Sequence, residues 1–155
     1  MSPSASIDLL IVEDDPLDLE LTMRGLRQAP LVGGVHVAHD GQEAVDFMLG
    51  LGAYTLRRDA EPPRLVVLDV KLPKLSGFDV LARLRSNPAT SIVPVVMLSS
   101  SQERNDVLRS YRLGANSYIV KPVEFERFVR ALRYVGRYWL GLNQPPEGTG
   151  FVTQT

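Results

Sequence analysis

Short apolar runs and segments of helical periodicity alternate along the chain. The runs IDLLIV (7–12), VHVA (35–38), LVVL (65–68), VPVVML (93–98) and SYIV (117–120) have the length and β-branched content of buried strands. Between them, and after the last, apolar residues recur at helical spacing, so five strands and five helices are predicted. Four helix starts carry their own punctuation: Asp15 before Pro16, Asp40 with Glu43, Ser76 with Asp79, and Ser100 with Glu103 read as N-caps or capping boxes. Strands that are apolar throughout and separated by helices imply a parallel sheet covered on both faces, which makes this a doubly wound α/β domain. The domain is expected to span 7–142. The ends MSPSAS (1–6) and NQPPEGTGFVTQT (143–155) are rich in small residues, Gly and Pro and are expected to be loose termini.

One position breaks the apolar pattern. After Leu65–Leu68 the third run meets Asp69, a carboxylate ending a core strand, and such a group needs a partner to offset its desolvation. In doubly wound sheets the ligand lies beyond the carboxyl ends of the strands, where strand order reverses. Here those ends read VEDD, LD, LSS and VKP, so Glu13, Asp14, Asp69, Ser99 and Lys121 should converge on one edge. Three carboxylates brought together repel one another, and a proton or a cation must be shared among them. A small set of hard oxygen ligands suits Mg²⁺, which keeps several waters and takes only one or two carboxylates plus a phosphoryl oxygen. Opposite the acids, Lys121 can pair with an anion and Ser99 can hydrogen-bond one of its oxygens. The implied anion is a phosphoryl group.

Composition narrows the partners. A formal net charge of -1 over 155 residues argues against DNA or an acidic membrane held by bulk charge. With no cysteine, disulfides, thiolate nucleophiles and cysteine metal sites are excluded. The first residues lack the basic and apolar regions of a secretion signal, and no apolar run approaches membrane-spanning length, so a cytoplasmic protein is expected.

The motifs VEDD, LDVKLPKLSG, LSS and YIVKP resemble, in order and spacing, those of the receiver domain of bacterial response regulators, over roughly residues 7 to 141. The resemblance implies a flavodoxin-like sheet of order 2-1-3-4-5 with helices on both faces. It implies that Asp69 accepts a phosphoryl group from a histidine kinase, and that Asp14 and Asp69 bind Mg²⁺ with the Lys71 backbone carbonyl while Glu13 holds a metal-bound water. Ser99 and Lys121 match the family's hydroxyl and lysine, Tyr118 its switch aromatic, and Lys121 to Pro122 a peptide bond that is cis in the family. A domain of this kind catalyses only its own phosphorylation and dephosphorylation, and its output is protein contact. The long connection LGLGAYTLRRDAEPP, the block SSSQERNDVLRSYRLGANSYIVKPV and the aromatic RYVGRYWLGL are similar to single-domain regulators that partner phytochrome-type histidine kinases. A hydrolase forming an aspartyl phosphate would also place Asp at a strand end, but it needs a second acid two residues on, where this chain has Lys71. A nucleotide or flavin binder needs a Gly-rich loop, and no Walker or G-x-G-x-x-G motif occurs.

Plainer roles account for some neighbours. Asp15 with Pro16 is an N-cap and stays out of the ligand set. His36 alternates with Val35 and Val37 and is expected to face solvent; His39 begins a loop. In the last helix Phe125, Phe128, Leu132, Val135 and Trp139 form one stripe at 100° per residue, enough to seat the helix on the sheet. Ala131, Tyr134, Tyr138 and Leu142 form a second stripe, widened on the far side of the first by Val129, Gly136 and Leu140. That surplus predicts a homodimer through this helix.

Overall fold

A computed structural model describes residues 6–31 and 33–146 of the chain. The strands are β1 (Ile7–Val12), β2 (Gly34–Ala38), β3 (Leu65–Asp69), β4 (Val95–Ser99) and β5 (Ser117–Val120). All neighbouring strands are parallel, in the order β2-β1-β3-β4-β5. The helices are α1 (Pro16–Leu26), α2 (Gly41–Leu49), α3 (Gly77–Ser86), α4 (Arg104–Arg112) and α5 (Phe125–Arg137). The expected loose termini fall mostly outside the described residues.

Alternate side chains of each strand feed two cores. On one face Leu10, Val12, Val66, Leu68, Val95 and Met97 pack with Phe47 of α2 and Phe78, Leu81 and Leu84 of α3. On the other, Leu9, Ile11, Leu65, Val67, Val96 and Leu98 pack with Leu21 and Leu26 of α1 and Phe128 and Leu132 of α5. Both faces of β3 and β4 are therefore covered, which is why those strands are apolar throughout. The order changes direction at β1 and β3, and the crevice above their carboxyl ends is where Asp69 emerges.

Three of the four expected caps form. The side chains of Asp15, Asp40 and Ser76 accept from the backbone N–H of Asp18, Glu43 and Asp79, and Ser76 with Asp79 closes a full capping box. Ser100 caps nothing. α4 starts at Arg104, because Ser101 holds the preceding segment in another shape: its Oγ accepts from Glu103 N at 3.2 Å and donates to Asp106 Oδ2 at 2.7 Å.

Two further expectations are corrected. His36 is packed rather than solvated: its ring stacks on Phe47 with centroids 4.1 Å apart, and Nε2 lies 3.1 Å from the Tyr54 hydroxyl. Tyr54 belongs to a 3₁₀ segment, Gly52–Arg57, folded from the long connection, and its ring packs edge-on against both His36 and Phe47. In α5 the buried face is Phe128, Val129, Leu132, Val135 and Gly136, with Leu140 beyond it, whereas Phe125 is 57% exposed. Phe125 lies in the first turn, and the chain widens into a π turn over Tyr138–Leu142, so a constant 100° per residue misplaces both ends. Gly136 is buried because Ala29 and Leu26 lie against its backbone. Ala131 is half-buried beside this core; Tyr134, Tyr138 and Leu142 are exposed as expected.

Candidate phosphoryl and metal site

Four elements deliver the site. β1 ends at Val12, and Glu13 follows with its N–H on Ala38 O at 3.0 Å, which extends the ladder by one residue and directs the Glu13 side chain inward. Glu13 is buried, Asp14 exposed. Asp69 is the last residue of β3, 5% exposed, and the chain turns sharply after it. That turn requires glycine at 77: its N–H donates to Val70 O at 2.8 Å, and a Cβ there would collide with the Asp69 carbonyl oxygen. β4 ends at buried Ser99, whose carbonyl accepts from Lys121 N at 2.7 Å and so fixes where the lysine leaves the sheet.

The side chains meet. Lys121 Nζ lies 2.9 Å from Asp69 Oδ1 and 3.0 Å from Glu13 Oε2. Glu13, Asp14 and Asp69 each present a carboxylate oxygen within 4.8 Å of the others, the arrangement of a divalent-cation site. Glu13 Oε1 also accepts from Asp15 N at 3.1 Å. Ser99 Oγ accepts from Ser101 N at 3.0 Å, and the Tyr118 hydroxyl donates to Ser101 O at 2.7 Å, so one residue ties the serine to the tyrosine.

The electrostatics follow first from burial and only then from the neighbouring charges. Burial raises the Asp69 carboxyl above its ordinary value; Lys121 pulls it back, while the charges of Asp18 and Asp14 push it further up. Burial, and then the charge of Asp69, lift Glu13 to about 7 against the pull of Lys121. For Lys121 burial acts downward, but its hydrogen bonds to Asp18 and Asp69 outweigh it and hold the ammonium above its ordinary range. A cation that displaces protons from this cluster and neutralises it answers all three effects.

Glu13, Asp14, Asp69, Ser99 and Lys121 are thus brought to one edge as predicted. The Lys121–Pro122 bond is not cis: no cis peptide occurs among the described residues. The two isomers of an X–Pro bond differ by only about 0.5–1 kcal/mol, so neighbouring packing rather than the dipeptide selects between them. One site residue went unrecognised. Asp18, in the first turn of α1, places Oδ2 2.8 Å from Lys121 Nζ. The signal was available, since a helix beginning at Pro16 carries the residue four after Asp14 back over the end of β1.

Comparisons with known proteins agree with this geometry. The model of the response regulator receiver domain matches residues 9–133. Response regulator Rcp1 of Synechocystis is 31% identical over 132 residues, 85% of this chain and 88% of that protein. The crystal structure of its Mn²⁺-bound form superposes with a TM-score of 0.81 at 30% identity, covering 89% of this chain and 97% of that one. The phosphorylated cyanobacterial phytochrome response regulator RcpA gives a TM-score of 0.82 at 30% identity, covering 92% and 100%. The bacteriophytochrome response regulator RtBRR is 45% identical, with a TM-score of 0.70 and coverage of 93% and 87%. The fold, the acidic cluster and these matches place the chain in the response regulator receiver domain family, among proteins that accept a phosphoryl group in two-component signalling and beside the phytochrome-associated members in structure.

Proposed function

We propose that Asp69 is the phosphoacceptor and that residues 7–142 form a self-sufficient phosphorylation switch. The observation that carries this is Lys121 Nζ held 2.9 Å from Asp69 Oδ1 above three converging carboxylates. The Asp69 carboxylate attacks the phosphorus of a phosphohistidine in line; the new O–P bond forms as the P–N bond breaks, and the electron pair leaves with the imidazole, which takes a proton. Lys121 and the Ser99 hydroxyl hold the equatorial oxygens. Glu13, Asp14, Asp69 and the Lys71 carbonyl form the Mg²⁺ site, and bound Mg²⁺ supplies charge neutralisation for the phosphoryl oxygens. Water later cleaves the acyl phosphate at the same site, so the domain acts only on itself. Where an aspartyl-phosphate hydrolase needs a second acid, Lys71 stands instead.

The switch runs through Ser101. When the Ser99 hydroxyl turns to the phosphoryl group it gives up Ser101 N, and Ser101 O carries the change to the Tyr118 hydroxyl. Output is exchange of protein partners in the cytoplasm, without direct DNA contact. The donor is a phytochrome-type histidine kinase, a reading supported by the likeness to RcpA and RtBRR. Two copies pair through α5, using Tyr134, Tyr138 and Leu142, which are 60%, 50% and 80% exposed, with Ala131 at the margin.

Incubation with a small phosphodonor and Mg²⁺ should add one phosphate, labile to base and to hydroxylamine as an acyl phosphate is, on the peptide containing Asp69; a phosphate on any other residue overturns the assignment. Light scattering during size-exclusion chromatography should give a dimer that Tyr138→Glu converts to a folded monomer, and a wild-type monomer at high micromolar concentration overturns the pairing.

A further inference from the structure

An ammonium group has three N–H donors, and Lys121 spends them on three carboxylates: Asp18 Oδ2 at 2.8 Å, Asp69 Oδ1 at 2.9 Å and Glu13 Oε2 at 3.0 Å. The three acceptors are not equivalent. Glu13 and Asp69 belong, with Asp14, to the cluster that converges as a cation site, and Asp18 does not. Glu13 and Asp69 have side chains 2% and 7% exposed, whereas that of Asp18 is 31% exposed, so Asp18 reaches the ammonium from the open side. Its backbone is fixed, because Asp18 N donates to the capping Asp15 Oδ1 at 2.9 Å.

These differences matter once the site is used. A cation held by the cluster would engage Glu13 and Asp69, and phosphorylation would make one Asp69 oxygen the bridging oxygen of an acyl phosphate, a mixed anhydride. Both inner acceptors of Lys121 are then withdrawn or weakened. A lysine on four rotatable bonds, left with no carboxylate, would have to be ordered by the phosphoryl group alone. We propose that Asp18 is a positioning residue for phosphoryl transfer, the one carboxylate that keeps Lys121 aimed at Asp69 when the cation and the phosphoryl group have claimed the other two. The inference rests on Asp69 being the phosphoacceptor. Asp18 touches neither reacting atom; it acts through the lysine.

The plain alternative is that Asp18 only favours the helix start, as an acid in a first turn does. The two are separated by Asp18→Asn, which keeps shape and a hydrogen-bonding oxygen but loses the charge, with Asp18→Glu as rescue. Glu20→Gln serves as a control that removes an exposed acid from the same helix. Three quantities are read: the phosphorylation rate at saturating Mg²⁺, the affinity for beryllofluoride as a phosphoryl mimic, and the ¹⁵N signal of the Lys121 ammonium, visible only while the group is held. Loss of one charge-assisted hydrogen bond should slow phosphorylation and weaken beryllofluoride binding about 10-fold in Asp18→Asn. The ammonium signal should disappear from the beryllofluoride complex, Asp18→Glu should restore part of each effect, and Glu20→Gln should match wild type. Wild-type rate and affinity in Asp18→Asn, or an equal loss in Glu20→Gln, overturns the proposal. Asp69→Asn run alongside separates the two failures: if it still gains phosphate, the acceptor assignment fails; if it does not and Asp18→Asn matches wild type, only the role of Asp18 fails.

Discussion

Both edges of the sheet hold a buried acid beside a cation, and they differ in how the charges balance. At the amino edge Asp8, 7% exposed, accepts from Gly33 N at 2.8 Å and faces Arg64 Nη1 at 3.9 Å, while Arg64 Nη2 donates to Leu140 O at 2.7 Å. The acid has a cation and a backbone donor, and the cation ties β3 to the turn after α5. At the carboxyl edge Glu13, Asp14, Asp18 and Asp69 gather around Lys121, so acids outnumber the base. A buried pair whose charges and hydrogen bonds are matched stabilises a fold or at least does not strain it, whereas unmatched buried charge lowers stability until a ligand arrives. The amino edge is a clasp and the carboxyl edge a binding site.

The largest effect that this contrast predicts is all-or-none. Asp69→Asn should abolish phosphoryl acceptance, because the amide is nearly isosteric but is no nucleophile, and its melting temperature should equal or exceed that of wild type since one unmatched charge is gone. Intact mass after phosphodonor treatment and a thermal melt check both halves. An unfolded Asp69→Asn would make the carboxyl edge structural after all.

Next comes the pH dependence of the metal-free protein. Glu13 titrates near 7 in the fold against an ordinary 4.5, so the folded state binds the proton more tightly than the unfolded chain does. Its contribution is fully present below about pH 4.5 and is lost as pH rises through about 7, a cost of up to about 3 kcal/mol. Asp69, also raised, acts in the same direction. His36 opposes them: burial lowers its pKa below the ordinary 6.5, so its contribution is present above 6.5 and lost as pH falls through the lower folded value. Glu13→Gln isolates the acid. In chelator, urea unfolding should show the variant losing less stability than wild type between pH 5 and 8; parallel curves would remove the strain argument.

Arg64→Leu tests the other edge. It removes the Arg64 charge from beside Asp8 and the Arg64 donor from Leu140 O, and should cost about 2 kcal/mol with a shifted Trp139 emission. Phosphorylation should stay within about twofold of wild type, which is the opposite of the Asp69→Asn result.

How much of this was visible beforehand depended on whether a feature is local. The sheet was legible because β3 and β4 are covered on both faces and must be apolar, and Asp69 was legible because it violates that rule. Asp15, Asp40 and Ser76 cap helices through hydrogen bonds within three residues, and local chemistry of that kind can be read from a string. The clasp could not be read: Asp8 meets Gly33, and Arg64 meets Leu140 across 76 positions. His36 failed for a related reason, since its alternation with valines is real but Tyr54 and Phe47 come from distant segments to cover it. The start of α4 was misplaced because Ser101 serves Ser99, Tyr118 and Asp106 at once, a tertiary demand that outweighs a capping pattern at Ser100.

The smallest prediction sets the two edges in one experiment. A cation that binds the folded cluster and not the unfolded chain stabilises by RT ln(1 + [L]/Kd), about 1.4 kcal/mol when Mg²⁺ is at roughly ten times its Kd. Asp14→Ala should lose this increment, because Asp14 is one of the three converging oxygens and makes no hydrogen bond to Lys121 that the fold would miss. Arg64→Leu should keep the increment in full while starting from a lower melting temperature, since the two sites lie at opposite ends of β1 and their free energies should add to within about 0.5 kcal/mol. The double variant should then show the clasp's loss alone, with no response to Mg²⁺. If Arg64→Leu loses the response, the clasp shapes the site from across the sheet; if Asp14→Ala retains it, the cation sits elsewhere, and the imbalance of charge at the carboxyl edge is not what draws it.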